Sequence, residues 1–182
     1  MGRDDALLLL DELGAGEVEH LGGSLLAHLE GTEGILRRWQ VDEPVALAGL
    51  CHAAYGTDGF PQPLLGLDER DRLAAAVGDA AEAIVYRYAA CDRSVTYPQL
   101  ANGVGVAFAD RFTGESELVD GASLRQFALV TVANELELAR RDLFGDAVLR
   151  DIAGLFDSLA AHVAEADDAA AEVRAKLSPS RR

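Results

Sequence analysis

Long apolar runs are missing from this sequence, and so is an apolar leader. Its apolar runs, such as "ALLLL" at 6–10, fall far short of the ~20 residues that a membrane-spanning helix needs. Asp4 and Asp5 also interrupt any signal-peptide pattern. We therefore expect a cytoplasmic protein without a membrane partner.

Cysteine and basic residues are scarce. Cys51 and Cys91 form no CxxC pair and have no zinc-ligand spacing, so we interpret them as small buried hydrophobic residues. Lys and Arg number 16 against 31 Asp and Glu, a net charge of −15 that repels phosphate backbones. The sequence therefore disfavours a nucleic-acid partner and leaves a small molecule as the expected substrate.

The length of 182 residues suffices for one domain, 1–182. Helical periodicity is the main pattern of the sequence. An alternating stretch at about 103–119 ("GVGVAFADRFTGESELV") predicts a two-stranded hairpin. The tail at 177–182 is expected to fray. The fold class is thus a mainly α helical bundle with a small β-hairpin insertion. The predicted helices span 4–13, 24–39, 43–55, 68–91, 123–141 and 147–176.

Three polar side chains fall on the apolar faces of three different predicted helices: His28, His52 and Asn134. A buried amide left unpaired costs roughly 1–3 kcal/mol, so Asn134 needs a partner. Each residue alone fits an ordinary core position, but together they predict a shared polar pocket. Because histidine is the commonest neutral metal ligand, a metal is the first candidate for what gathers them.

The stretch "HLEGTEGILRRWQVDEPVALAGLCHAAYGT" resembles the HD-domain superfamily, and most closely the RelA/SpoT-type hydrolase domain. "LAAAVGDAAEAIVYRYAACDR" and "VTVANELELARR" are similar to later helices of that domain. The resemblance implies an HD-like helical fold with a metal bound by His, His-Asp and a final Asp. His28 and His52 match the two histidines, whereas Ala53 and Asn134 replace the two aspartates. Because two of the four metal ligands are replaced, we do not expect this chain to share the alarmone hydrolysis of that domain.

The chain also resembles an HD-like family without an assigned activity. Its motifs are His-Leu-x-Gly-Thr, His-x-x-Tyr-Gly-Thr, Asp-Arg-Phe-Thr-Gly and Ala-Asn-Glu-Leu, which match here at 28–32, 52–57, 110–114 and 133–136. This likeness supports the fold and implies nothing about the substrate.

A metal-dependent enzyme is the first of three hypotheses for the pocket. His28 and His52 would hold a single transition metal, Fe, Mn or Zn, which needs three protein ligands and an open position. The reaction would be hydrolysis or an iron oxygenase reaction on a small metabolite. The candidates for the third ligand are His20, Asp92, Glu135 and Asp110.

A metal-free acid–base enzyme is the second hypothesis. His52 would act as the base, with Tyr55 and Glu135 as neighbours. Arg93 or Arg111 would hold an anionic group through the fork of guanidinium donors, and Thr57 and Asn134 would complete the substrate site. Both arginines follow an aspartate, so a local surface ion pair is the alternative for each.

A non-catalytic module that binds a small molecule or a partner is the third hypothesis. The histidines and Asn134 would then form a buried hydrogen-bond network, and no cofactor would be needed. In the last predicted helix an apolar stripe fits a core position, with a homodimer contact as the alternative, and His162 is expected to be solvated. The stripe consists of Ile152, Leu155, Phe156, Leu159 and Val163.

Overall fold

The computed structural model of the protein describes residues 1–103 and 105–177. Within these residues the α-helices are α1 (Arg3–Glu12), α2 (Leu25–Arg38), α3 (Glu43–Cys51), α4 (Arg70–Val77), α5 (Asp79–Ala90), α6 (Arg93–Thr96), α7 (Gly121–Arg140), α8 (Asp146–Leu159) and α9 (Glu165–Ala175). Short 3₁₀ turns lie at Leu67–Glu69 and Tyr97–Asn102. The strands β1 (Glu19–His20) and β2 (Gly23–Ser24) pair antiparallel, as do β3 (Ala107–Ala109) and β4 (Ser116–Leu118). The predicted mainly α class with a small β insertion is confirmed.

The centre of the fold is a group of four helices, α2, α3, α5 and α7, which pack against one another. Leu29, Leu50, Val85 and Phe127 bring one fully buried side chain from each helix into this centre. Cys51 and Cys91 are buried free thiols, as the sequence predicts. None of the helices within the described residues is long and apolar enough to cross a membrane.

The predicted helix at 68–91 is wrong, because the chain breaks it at Gly78. This glycine has φ +87°, a backbone conformation that residues with a Cβ rarely adopt. Its amide donates to the carbonyl of Ala74 and closes α4, and α5 starts at the next residue. α4 can therefore pack against α1 while α5 packs against α3 and α7.

The predicted helix at 147–176 is also wrong, since α8 ends at Leu159 and α9 starts at Glu165. The break lets α9 fold back on α8 and pack against α7. Most of the predicted apolar stripe, including Phe156 and Val163, is buried in the core, which accounts for its pattern. His162 lies at the break, half-buried, and its Nε2 bonds to the carbonyl of Leu100 at 2.7 Å, so the expectation of a solvated side chain is wrong.

The predicted hairpin is present as β3 and β4. Phe108 pairs with Glu117 across it, and the Asp110 carboxylate accepts from the amides of Phe112 and Thr113 to close the turn. Val104 of the predicted hairpin and residues 178–182 of the predicted frayed tail lie outside the described residues. The short β1–β2 hairpin was not predicted, and it carries His20.

Candidate functional site

A pocket of about 210 Å³ opens between α2, α3, α7 and the β1–β2 hairpin. His20, His28 and His52 line it together with Asn134 and Arg93. The three histidine rings are neighbours, with centroids 4.6 Å apart for His20 and His28 and 5.1 Å apart for His28 and His52. The pocket predicted from His28, His52 and Asn134 is present in the fold.

Two glycines of α2 and α3 allow the close packing that brings the polar side chains together. A Cβ on Gly49 of α3 would lie 2.2 Å from Cδ1 of Leu36 on α2. A Cβ on Gly31 of α2 would lie 2.8 Å from Cγ of Glu137 on α7. Both distances are too short for real carbon contacts, so a larger residue at either position would displace the side chain of Leu36 or of Glu137.

His28 is 1% exposed and is held from both sides by α7. Its Nδ1 is hydrogen-bonded to Glu137 Oε2 at 2.5 Å, and its Nε2 to Asn134 Oδ1 at 2.9 Å. The amide of Asn134 is oriented by its Nδ2, which donates to Glu135 Oε1 at 3.1 Å. Both ring nitrogens of His28 are therefore engaged by oxygen atoms of α7. The partner that the buried amide of Asn134 requires is His28.

Charged residues extend this network at both ends. Arg141 donates to Glu137, and Arg93 lies 3.5 Å from Glu135 and donates to the hydroxyl of Tyr88 at 3.2 Å. Burial raises the pKa of Glu135, although Arg93 and Asn134 oppose the shift. Burial would also raise the pKa of Glu137, but the hydrogen bonds from His28 and Arg141 bring it below the usual range.

His52 follows the last residue of α3 and is 2% exposed. Its Nδ1 donates to the carbonyl of Gly49 at 2.7 Å, so the neutral ring presents Nε2 as an acceptor. Burial lowers the pKa of His52 to about 3, and the charge of His28 adds to this shift. His52 is therefore a neutral ring in neutral solution.

His20 reaches the pocket from β1 and packs edge-to-face on Phe60, with centroids 5.0 Å apart. Its Nε2 is buried and has no hydrogen-bond partner in the described part of the chain. Burial lowers the pKa of His20 to about 4, and the charges of His28 and Arg141 contribute. His20 is thus a second neutral imidazole beside the ring of His28.

Several residues proposed from the sequence lie elsewhere. The hydroxyl of Tyr55 donates to Glu82 at 2.9 Å, away from His52, and Tyr88 takes the expected place beside that ring at 5.2 Å. The Asp92 carboxylate accepts from the amides of Ser94 and Val95 at the start of α6. Because it caps this short helix, Asp92 is not directed at the histidines.

The two proposed arginines separate. Arg111 donates to the carbonyl of Ala89 at 2.7 Å and does not line the histidine pocket, whereas Arg93 does. Thr57 and Glu135 also line the pocket, as proposed. Asp110 closes the turn of the β3–β4 hairpin instead of approaching the histidines.

Glu137 and Tyr88 contact the pocket histidines and were not predicted from the sequence. Glu137 lies three residues after Asn134, so it shares a helix face with that amide, and this spacing was the signal that could have found it. Tyr88 carried no comparable signal. Its position beside His52 and Arg93 depends on the packing of α5 against α3.

The residues present do not fit the metal that the HD resemblance implies. Both nitrogens of His28 are engaged in hydrogen bonds to α7, and the methyl group of Ala53 lines the pocket where the motif has a carboxylate. Among the described residues no group of three His, Cys, Asp or Glu side chains is placed to hold a metal ion. A transition-metal site needs three protein ligands, and His20 and His52 supply two nitrogens.

The fold and the pocket define a mainly helical domain with a cluster of three histidines, of which His28 and His52 are buried and His20 is half-buried. Residues 9–93, a little under half of the chain, match the model of a family described as a domain of unknown function (DUF6817). The three histidines and Arg93 lie within this match, whereas α7 follows it. No curated protein and no solved structure matches the chain. The resemblance to HD domains stays a prediction.

Proposed function

We propose that the protein binds a small polar metabolite in the histidine pocket and that it does so without a metal. The observation that carries this proposal is the buried Nε2 of His20, which has no partner among the described residues. A buried polar atom without a hydrogen bond costs about 1–3 kcal/mol. A ligand group that makes a hydrogen bond with this nitrogen would remove that cost.

The scaffold of the pocket supports a binding role. His28 is tied to α7 through Glu137 and Asn134, so its ring is fixed before any ligand enters. A preformed site loses little freedom on binding, which favours affinity. The volume of about 210 Å³ is below the 300–1,000 Å³ of common pockets for drug-sized ligands, so the expected ligand is smaller.

A metal-free acid–base enzyme is the second candidate function, and Glu135 favours it. Burial raises the pKa of this carboxyl group, which moves it towards the range of a general acid or base. His52, the base expected from the sequence, fits this role less well because its pKa of about 3 makes it a weak base. The hydrolase or oxygenase expected with a metal has less support, since His28 offers no free nitrogen.

A ligand screen on the tag-free protein tests the binding proposal. Thermal unfolding would be followed with small hydroxy acids, amino acids, polyols and nucleosides, for the parent and for His20→Phe and His52→Phe. We expect a compound that raises the Tm of the parent, because a ligand at 100 times its Kd stabilises by about 2.7 kcal/mol. Each pocket variant should lose this response, and His162→Gln, which removes a histidine outside the pocket, should keep it.

The proposal is wrong if active compounds stabilise the parent and both pocket variants equally. Metal content of the same samples, measured by mass spectrometry, distinguishes metal-free binding from the metal hypothesis. Stoichiometric Fe, Mn or Zn in the parent and in His162→Gln, with loss in His52→Phe, would replace metal-free binding by the metal-dependent function.

A further inference from the structure

The rings of His20 and His52 offer hydrogen-bonding nitrogens to a molecule in the pocket. The buried Nε2 of His20 has no hydrogen-bond partner within the described residues, and the bond from His52 Nδ1 to Gly49 makes the Nε2 of His52 an acceptor. Both rings are neutral at pH 7, since their pKa values are lowered to about 4 and about 3. A bound molecule should therefore present a hydrogen-bond donor to this side of the pocket.

The donor should be a hydroxyl group rather than an ammonium group. His28 and Arg141 bring positive charge close to His20, and His28 and Arg93 bring it close to His52, which is part of why both imidazoles resist protonation. The same positive charge opposes a cationic ligand group at these nitrogens. A hydroxyl donates without adding charge.

Arg93 supplies the opposite chemistry in the same pocket. Its guanidinium group lies 5.8 Å from the ring centroid of Tyr88 and 5.6 Å from that of Tyr97, which limits its movement. It makes two long side-chain bonds, 3.5 Å to Glu135 and 3.2 Å to Tyr88, so donors remain among the five that a guanidinium carries. A planar, partly buried fork of this kind suits a carboxylate.

The cation at the pocket wall favours one negatively charged group in the ligand. Arg141 is paired with Glu137 outside the pocket lining, whereas Arg93 lines the pocket itself. A buried carboxylate needs a compensating cation, and Arg93 is placed to supply it.

We infer that the ligand class of this pocket is a small hydroxycarboxylate, with its carboxylate on Arg93 and its hydroxyl donating to Nε2 of His20 or His52. This inference rests on the proposed function. Leu21, Leu25 and Phe144 line the remaining wall and offer room for a short alkyl group. A molecule the size of lactate fits the volume of about 210 Å³.

Calorimetric titration with four matched probes tests the inference. L-Lactate carries both groups, propionate lacks the hydroxyl, 1,2-propanediol lacks the carboxylate, and L-alanine has an ammonium in place of the hydroxyl. We expect the affinity for lactate to be about tenfold or more above that for each of the other three. A hydrogen bond to a charged group, or to a buried polar atom that otherwise lacks a partner, accounts for about this ratio. Equal affinity for lactate and propionate would overturn the inference.

Variants locate the binding. Arg93→Lys keeps the charge but loses the fork, and His20→Phe keeps the ring against Phe60 but loses the acceptor; each should weaken lactate binding by about tenfold. His162→Gln is the matched control and should bind like the parent. Far-UV circular dichroism checks that each variant is folded. If Arg93→Lys does not fold, the lactate affinity of His20→Phe tests the inference instead. Unchanged lactate affinity in a folded pocket variant would overturn the inference.

Chemical modification gives a second measurement that does not depend on binding heat. Diethyl pyrocarbonate modifies unprotonated imidazole nitrogens, and lactate should slow its reaction at His20 and His52 but not at His162. Protection of none of the pocket histidines would contradict the inference. If another compound from the thermal screen binds and His20→Phe abolishes it, whereas lactate fails, the ligand class is wrong and the proposed function stands. If no compound binds the parent, both fail.

Discussion

Acid should destabilise the protein through His52 in a measurable way. The pKa of His52 is lowered to about 3 in the fold, chiefly by burial, whereas an unfolded chain has an ordinary histidine with a pKa near 6.5. As the pH falls below about 6.5, His52 becomes protonated in the unfolded state but stays neutral in the folded state. The free energy of unfolding therefore falls between pH 6.5 and about 3.

The size of this effect follows from the shift. At pH 4.5, about two units below the unfolded value and above the folded one, the loss is about 2–3 kcal/mol at roughly 1.4 kcal/mol per unit. Carboxylates with shifted pKa values add their own pH dependence. The change specific to His52 is therefore a difference between two proteins.

Urea unfolding at pH 7 and at pH 4.5 measures this difference. In the parent the free energy of unfolding should fall by about 2–3 kcal/mol more than in His52→Phe, which keeps a ring against His28 and Tyr88 but cannot titrate. His162→Gln controls for the removal of a histidine elsewhere and should follow the parent. Parallel pH dependence in the parent and in His52→Phe would refute the reasoning.

Three further substitutions test the elements that build the pocket, each by urea unfolding at pH 7. Glu137→Gln removes the carboxylate bonded to buried His28 and should lower the free energy of unfolding by about 1–3 kcal/mol. An unchanged free energy would count against a structural role for this pair. Ser24→Ala removes the hydroxyl that caps α2 at the amide of Ala27 and should cost about 1 kcal/mol, whereas Ser24→Asp should retain most of the stability. Gly78→Ala places a Cβ on a backbone with φ +87° and should lower the free energy of unfolding by about 1–2 kcal/mol. A variant more stable than the parent would show that a Cβ causes no strain at this break between α4 and α5.

The helical class and the inward polar residues could be predicted because they depend on local pattern. The buried face of α2 repeats every three to four residues and places His28 inside. In α3 and in the middle of α7 the residues are mostly apolar and buried on all sides, which encloses His52 and Asn134. The hairpin at β3 and β4 followed from alternation and turn residues in the same way.

The helix breaks could not be predicted from the same pattern. Around Gly78 and again between α8 and α9 the apolar period continues across the break, because both halves face the core. A single glycine inside a helical pattern is tolerated often enough that it does not decide a boundary. The decision comes from the partners of each half, α1 for α4 and α7 for α9.

By itself the sequence determined that a histidine from α2, a histidine from α3 and an amide from α7 would face inward, since periodicity is a property of the chain alone. Only the tertiary structure decided what these side chains do. The approach of α2 to α7 at Gly31 places Glu137 against His28, and α7 thereby engages both nitrogens of that ring. The β1–β2 hairpin adds His20, whose Nε2 is buried without a hydrogen-bond partner among the described residues. Hydrogen-bond partners distant in sequence are chosen by packing, and no spacing along the chain encodes them.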